Sequence, residues 1–231
     1  MTKEEELKIK EVRQAEAKIV KERYNVILKE CIAPILKNAG FERKGHNFHL
    51  HVDELEWCIS IQKDPFGYSS DFREFSFEIE IGITFKEYYP LMPQSNLYLA
   101  ISCPFRARIG DFTGRVGGFS LHLKGDDNMV KKEVQKALES SLLPVVSTIH
   151  TKSGLLNSTK LRTKGWKILL LRKCFPEKYR PLFYPMPYGL LILYHSLGMK
   201  KRAVKEIGKL KNNKYGNKEE LHRILAAYGL E

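Results

Sequence analysis

The sequence predicts an α+β fold, in which an antiparallel sheet of about five strands is covered on one face by two helices. Segments that alternate apolar and polar residues indicate the strands, and two stretches with apolar residues at steps of three and four indicate the helices. Alternation at period two means that each strand buries one face only. The two helices are therefore expected to form the layer that covers the buried face of the sheet.

The first helix is expected to end at Gly40, which can adopt the left-handed conformation and lets Phe41 fold back onto Leu36. Pro34 lies inside the helix, where it removes a backbone donor and crowds the carbonyl group of Glu30, so we expect a kink there. The apolar face of this helix comprises Val20, Tyr24, Ile27, Leu28, Cys31, Ile35 and Leu36.

Residues 1–23 are highly charged and are expected to extend the first helix toward solvent. A thin apolar stripe follows this extension and comprises Leu7, Val12, Ala15 and Ile19. Such a stripe is typical of a docking or pairing surface, or of a solvated helix.

Five strands are expected, over residues 48–52, 57–61, 75–85, 97–103 and 119–123. In the third strand, Ile79 shares one face with five other apolar residues, and Glu78, Glu80 and Gly82 share the other. The second covering helix is expected over residues 129–150, capped by the acidic cluster at Asp126.

The chain is expected to divide into an α+β domain over residues 1–150 and a basic, mainly helical region over residues 151–231. In the second region, residues 152–164 resemble a loop, and residues 166–175 fit either a helix or a strand. Three helical segments follow at 188–197, 200–211 and 217–228. The first two resemble a single tetratricopeptide-like hairpin, which is too short to form a repeat array.

Three groups of residues carry a family resemblance: the helix end 27–41, the following 43–48 and 59–62, and the later sequence Cys-Pro-Phe-Arg-Ala-Arg-Ile-Gly at 103–110. Over roughly residues 24–124 the chain resembles the bacterial family of domains of unknown function that is numbered 4304. The resemblance implies a helix that continues into an antiparallel sheet. It supplies no catalytic residues and no ligand-binding residues.

Composition indicates a cytoplasmic protein. The N-terminal residues are charged and lack the apolar core of a secretory signal, and no stretch approaches the ~18 apolar residues of a membrane span. The four cysteines lie far apart in the sequence, which favours reduced thiols. We expect no cofactor.

Positive charge is concentrated in the last third of the chain. Residues 1–150 carry 21 Lys and Arg against 22 Asp and Glu, whereas residues 151–231 carry 18 against 5. This asymmetry favours an acidic partner, such as an acidic protein surface, nucleic acid or a membrane. Lys200, Lys201 and Arg202, at the start of a C-terminal helix, are candidate contacts for that partner.

The polar face of the sheet is the first candidate site within the α+β domain, and it comprises His49, His51, Gln62, Glu78 and Glu80. Carboxylates beside histidines can perform acid–base chemistry, but binding through this face, or simple hydration of it, is the favoured interpretation. A metal site is not expected, because His46 lies on the opposite face of the strand from His49 and His51.

Arg106, Arg108 and Arg115 form the second candidate site, around a glycine-rich segment. Guanidinium groups and exposed backbone amides suit phosphate or carboxylate ligands. The glycine spacing matches neither of the common nucleotide-binding motifs, so solvated arginines in a hairpin loop are the alternative.

The sequence thus favours a non-catalytic cytosolic binding protein that recognises another macromolecule, most simply an acidic protein. An immunity or antitoxin-like role is one form of such binding. One alternative is a nucleic-acid-binding accessory protein, because aromatic residues are interleaved with the basic C-terminal residues. Another is a hydrolase that uses the Glu78 and Glu80 face. The oligomeric state is left open.

Overall fold

A computed structural model describes residues 2–68, 74–92, 99–115, 117–159, 183–186, 188–213 and 217–230. The fold is α+β, as predicted, and the described residues form an antiparallel sheet of seven strands rather than about five. A layer of helices covers one face of the sheet, and further helices follow in the C-terminal region. The undecided segment 166–175 lies outside the described residues.

The sheet has β4 at its centre. The strands are β1 (Glu42–Lys44), β2 (Asn47–Val52), β3 (Leu55–Tyr68), β4 (Glu74–Thr84), β5 (Phe105–Arg108), β6 (Phe119–His122) and β7 (Tyr184–Pro185). Their order is β1-β2-β3-β4-β5-β7, and β6 pairs with β4 as well. One edge of β4 pairs with β3, and the other edge is shared between β5 and β6.

The prediction of a strand over residues 97–103 is wrong for residues 99–103, and residues 97 and 98 lie outside the described residues. Ala100–Ser102 form a turn of 3₁₀ helix, and the strand comes later, at Phe105–Arg108. Ile101, which was expected to face the core, is exposed. Alternation alone misplaced this strand because the segment before it packs on the polar face of the sheet.

Two helices with short continuations cover the apolar face. The helices of the chain are α1 (Lys3–Ile27), α2 (Ala33–Asn38), α3 (Ile109–Thr113), α4 (Asp127–Ala137), α5 (Leu143–Val146), α6 (Lys152–Thr159), α7 (Gly189–Ser196), α8 (Lys200–Lys211) and α9 (Lys218–Ala227). The loop expected at 152–164 is wrong for α6, where the Thr151 hydroxyl accepts from the Gly154 amide and two buried leucines anchor the helix.

The predicted helix stop at Gly40 and cap at Asp126 are confirmed, whereas the second covering helix, expected over residues 129–150, ends at Val146. Gly40 has a φ of 90°, and the amide of Phe41 donates to the carbonyl oxygen of Leu36 at 3.0 Å. This is the bond of a left-handed helix stop. At the start of α4, the Asp126 carboxylate accepts from the amide of Asn128 at 2.8 Å.

Both covering helices contain a π-helical turn that ends two residues before a proline. Leu28–Ile32 joins α1 to α2 ahead of Pro34, and Leu138–Leu142 joins α4 to α5 ahead of Pro144. In each turn the closing amide donates to the carbonyl oxygen five residues earlier. A proline ring clashes with the carbonyl group four residues before it, and the wider turn relieves that clash. The expected kink at Pro34 is therefore a widened turn.

The apolar face of the sheet is buried as predicted. Ile79 and the residues of β4 that share its face are buried, and so is Trp57 on β3. The ring of Tyr24, on α1, packs 4.9 Å from that of Phe75 and 5.3 Å from that of Phe77. Helix α1 is thereby fixed across the centre of the sheet.

Part of the polar face is also covered, which corrects the interpretation that this whole face is hydrated. Ser60 is buried, and its hydroxyl accepts from the amide of Ala100 at 3.0 Å. Thr84 is buried as well and donates to the sulfur of Met92 at 3.3 Å. The segment between β4 and β5 therefore closes one half of the polar face and leaves the other half open.

Candidate functional site

The pairing of β4 with β5 brings parts of the two predicted sites together. Glu80 is the register partner of Arg108, and Gly82 is the partner of Arg106. Register partners project from the same face of a sheet. The Arg108 Nε atom lies 4.0 Å from the Glu80 carboxylate. The acidic strand and the arginine segment are thus one surface.

This surface contains an open cleft of about 520 Å³. Its lining combines carboxylates, guanidinium groups, one aromatic ring and one thioether: Glu80, Asp111, Arg106, Arg108, Tyr184 and Met186, with Ile81, Ala100 and Ala107. A smaller pocket of about 140 Å³ adjoins it and shares Glu80 and Arg108 with it. Gln62, Ser76 and Glu78 line the smaller pocket.

Hydrogen bonds hold the polar groups of this cleft in place. The Gln62 amide donates to the Glu80 carboxylate at 2.8 Å. The backbone amide of Arg108 donates to the Asp111 carboxylate at 2.8 Å, across the first turn of α3. Arg106 donates to the carbonyl oxygen of Ile101 at 3.1 Å and also contacts the sulfur of Met186. In contrast, the Arg108 side chain is 68% exposed and can reorient toward a ligand.

Burial raises the pKa of Glu78 above its ordinary value. Arg108 and the backbone amide of Ile79 counter part of this shift, and the nearby carboxylates of Glu80 and Asp111 add to it. The ionised form of Glu78 is therefore less stable in the folded protein than in the unfolded chain.

We predict that Glu78→Gln raises the melting temperature relative to the wild type more at neutral pH than at about pH 4. The unfolded chain ionises Glu78 at the ordinary pKa, and the folded chain does so at a higher pH. The cost of burying the carboxylate is absent below the ordinary pKa and complete above the raised one. Thermal melts of both proteins at the two pH values test this. A difference in melting temperature that does not change with pH would contradict it.

The predicted histidines lie away from the cleft. His49, on β2, is 3.1 Å from the Glu42 carboxylate on β1, and His51 pairs in register with Glu56 on β3. His46 lies near the opposite layer, with its Nδ1 atom 3.1 Å from the Tyr24 hydroxyl. Within the described ranges, no group of three or more potential ligands is placed to hold a metal ion.

Arg115 serves the fold rather than the cleft. Its guanidinium donates to Glu133 on α4 at 2.6 Å and to the carbonyl oxygen of Gly118 at 3.0 Å. The same group lies 4.8 Å from the centre of the Phe119 ring. These contacts fasten the glycine-rich loop to α4.

Lys200, Lys201 and Arg202 form the exposed first turn of α8, in the C-terminal region. The Arg202 guanidinium lies 6.0 Å from the centre of the Tyr194 ring, on α7. Helices α7 and α8 form the predicted hairpin, which turns at Gly198 with a φ of 67°. The three basic residues are thus on a different element from the cleft.

Sequence reasoning missed Asp111, Tyr184 and Met186. An acidic residue three positions after Arg108 is a signal for a capped turn, and it could have identified Asp111. An aromatic residue beside a proline is usually explained by packing, whereas Tyr184 is 44% exposed at the rim of the cleft. Its position depends on the pairing of β7 with β5, which local sequence does not encode.

One family model, Domain of unknown function (DUF4304), matches residues 32–148, which is just over half of the chain. This protein belongs to the DUF4304 family. The predicted resemblance is thereby confirmed. The DUF4304 match includes Gln62, Glu78, Glu80, Arg106, Arg108 and Asp111, and it excludes Tyr184, Met186 and the α7–α8 hairpin.

No curated protein matches this DUF4304 chain, and no solved structure matches it. The family thus identifies the domain without assigning it an activity. No helix within the described part of the chain is long and apolar enough to cross a membrane.

Proposed function

We propose that this DUF4304 protein is a non-catalytic binding protein that recognises another macromolecule through the outer face of its sheet. The cleft on β4 and β5 carries this proposal. It presents a carboxylate held by Gln62, an exposed guanidinium on Arg108 and an exposed ring on Tyr184. Fixed polar groups beside an exposed aromatic ring are typical of recognition surfaces.

The contacts of Glu80 support binding over hydrolysis. Glu80 accepts a hydrogen bond from Gln62 and lies beside Arg108, so its carboxylate already has partners within the protein. The nearby Ser76 hydroxyl is hydrogen bonded to Ser120 at 2.8 Å. A serine nucleophile requires a general base as its partner, and a second hydroxyl does not supply one.

An acidic protein is the partner that the charges favour. Lys200, Lys201 and Arg202 place three cations in the first turn of α8, and this turn contains no acidic residue. Cations at this end of a helix oppose its dipole, and each costs about 0.3–1 kcal/mol. Carboxylates of a partner would offset that cost. The three described cysteines are buried and lie outside any disulfide, which fits a cytoplasmic location for the encounter.

Site-specific photocrosslinking tests this proposal. We expect a photoreactive phenylalanine analogue in place of Tyr184, at the rim of the cleft, to form an adduct with a macromolecule in host cells. The matched control carries the analogue at Lys132, an exposed position of α4 in the layer on the other side of the sheet. The control is expected to give no such adduct.

The chemistry of the adduct decides between the candidate partners. An adduct that resists nuclease, and in which mass spectrometry identifies an acidic protein joined to this chain, supports the acidic protein. An adduct that nuclease degrades contradicts it and favours the nucleic-acid accessory function, for which the exposed basic turn of α8 is the supporting observation. Equal adducts from Tyr184 and Lys132, or none from Tyr184, would contradict recognition through the cleft.

A further inference from the structure

The charged groups that line the cleft differ in how far the protein itself satisfies them. Glu80 accepts from the Gln62 amide at 2.8 Å, and Asp111 accepts from the backbone amide of Arg108 at 2.8 Å. Arg106 donates to a backbone carbonyl oxygen at 3.1 Å. The Arg108 guanidinium makes no hydrogen bond to any described residue, and its Nε atom lies 4.0 Å from the Glu80 carboxylate, which is beyond hydrogen-bond distance.

The exposure of Arg108 leaves its donors open to a ligand. Its side chain is 68% exposed, whereas the side chain of Glu80 is 18% exposed. The hydrogen bond from Gln62 holds the Glu80 carboxylate against the sheet. A guanidinium group presents its N–H donors in a planar fork that matches the two oxygens of a carboxylate or a phosphate. An external anion can therefore bind Arg108 without breaking a hydrogen bond of the cleft.

An apolar contact surface lines the same cleft. Tyr184 pairs in register with Arg106 and is 44% exposed. The backbone amide of Met186 donates to the carbonyl oxygen of Pro104 at 2.7 Å, which fixes the end of β7 beside the start of β5. Exposed tyrosine rings are common anchors of protein interfaces, and a thioether adapts to the shape of its neighbour. A ligand that reaches Arg108 therefore meets an aromatic ring and a thioether as well.

On the basis of the proposed binding function, we propose that Arg108 pairs with an Asp or Glu side chain of the partner protein, next to an apolar side chain that packs on Tyr184 and Met186. The lining carries two guanidinium groups and two carboxylates, so it offers no net positive charge to a polyanion. Grooves that bind nucleic acid are positively charged along the backbone of the strand. A single carboxylate beside an apolar residue fits this lining, and a run of phosphates does not.

Peptide selection followed by binding measurements tests the pairing. Random peptides selected on the full chain are expected to contain Asp or Glu beside a large apolar residue. Fluorescence anisotropy of a selected peptide is expected to show at least about tenfold weaker binding to Arg108→Gln than to the wild type, because a charge-assisted hydrogen bond is lost. The matched control, Arg13→Gln, removes the same charge from an exposed position of α1 and is expected to bind like the wild type. Thermal melts check that both variants keep the fold.

A change in the peptide completes a double-mutant cycle with Arg108→Gln. Replacing the acidic residue of the peptide by its amide is expected to weaken binding to the wild type by a similar factor. The same replacement is expected to have little further effect on binding to Arg108→Gln. Additive effects of the two changes would overturn a direct contact between Arg108 and the carboxylate.

Three other results would overturn the pairing. The first is a selection that does not enrich acidic peptides, and the second is equal weakening by Arg13→Gln. The third is single-stranded DNA that binds at physiological salt and is weakened at least about tenfold by Arg108→Gln alone, which would assign a phosphate ligand to this arginine.

The crosslinking experiment separates this pairing from the proposed function. A Tyr184 adduct that forms equally in the wild-type and Arg108→Gln backgrounds would retain the recognition surface and overturn the carboxylate contact. Acidic peptides that require Arg108, without an adduct from Tyr184 in host cells, would support the contact and contradict the proposed function.

Discussion

Ile79→Asp is expected to unfold the domain. Ile79 is fully buried in β4, where it pairs in register with Ile61 on β3 and faces the helix layer. An unpaired carboxylate in this position would be removed from water without a hydrogen-bonding partner. The cost is expected to reach several kcal/mol, which approaches the total stability of about 5–15 kcal/mol of a typical domain. Far-UV circular dichroism and a thermal melt measure the outcome.

The matched control for this substitution is Ile101→Asp. Ile101 is 52% exposed, so its replacement leaves the new carboxylate in water, and we expect a melting temperature close to that of the wild type. If Ile79→Asp gave a folded protein with the wild-type melting temperature, the assignment of the Ile79 face of the sheet as the buried face would be contradicted.

Gly82→Ala is expected to lower the free energy of unfolding by roughly 1–3 kcal/mol, because the added carbon overpacks a filled site. A Cβ atom at Gly82 would lie 2.6 Å from the sulfur of Cys103 and 2.8 Å from the Cα atom of Ala100. These atoms belong to the segment that covers the polar face of the sheet. Urea denaturation, followed by tryptophan fluorescence, measures the change.

Gly208→Ala supplies the contrast. Gly208 lies inside α8, and within the described part of the chain no atom apart from its chain neighbours and the nearby backbone of α8 lies within 4 Å of the position that its Cβ would take. Alanine is a better helix former than glycine by about 0.8–1.0 kcal/mol, so this variant is expected to be more stable than the wild type. If Gly82→Ala were as stable as the wild type, the close packing of Cys103 on β4 would be contradicted.

The sequence was sufficient for the features that local periodicity controls. Strands β2 to β4, the buried face with Ile79, the stop at Gly40 and the cap at Asp126 all follow from spacing within a few residues. The strand expected at 97–103 failed because its alternation reflects a segment that crosses the polar face, where Ile101 turns outward. That packing depends on β4, and local pattern contains no information about it.

The candidate site could be predicted only in parts. Glu80 and Arg108 were each identified from local sequence, but their proximity depends on the register between β4 and β5. Tyr184 reaches the cleft because a two-residue strand far along the chain pairs with β5. Contacts between distant segments are set by the packing of the whole sheet, so the sequence indicated the chemical groups and the fold brought them together.

The π-helical turns before Pro34 and Pro144 limit the alternative structures that the chain can adopt. Buried residues step by four through each turn, as at Leu28, Ile32 and Leu36. If the segment were α-helical throughout, without the π-helical turn, Leu36 would be rotated away from the sheet. Such a helix would be an alternative structure that competes with the native one. The uninterrupted α-helix requires a backbone amide donor at residue 34, which proline lacks. Proline inside such a helix costs about 3 kcal/mol or more. Each proline thus acts against a shifted alignment of its helix, and the chain is left with one low-energy way to lay the helix layer on the sheet.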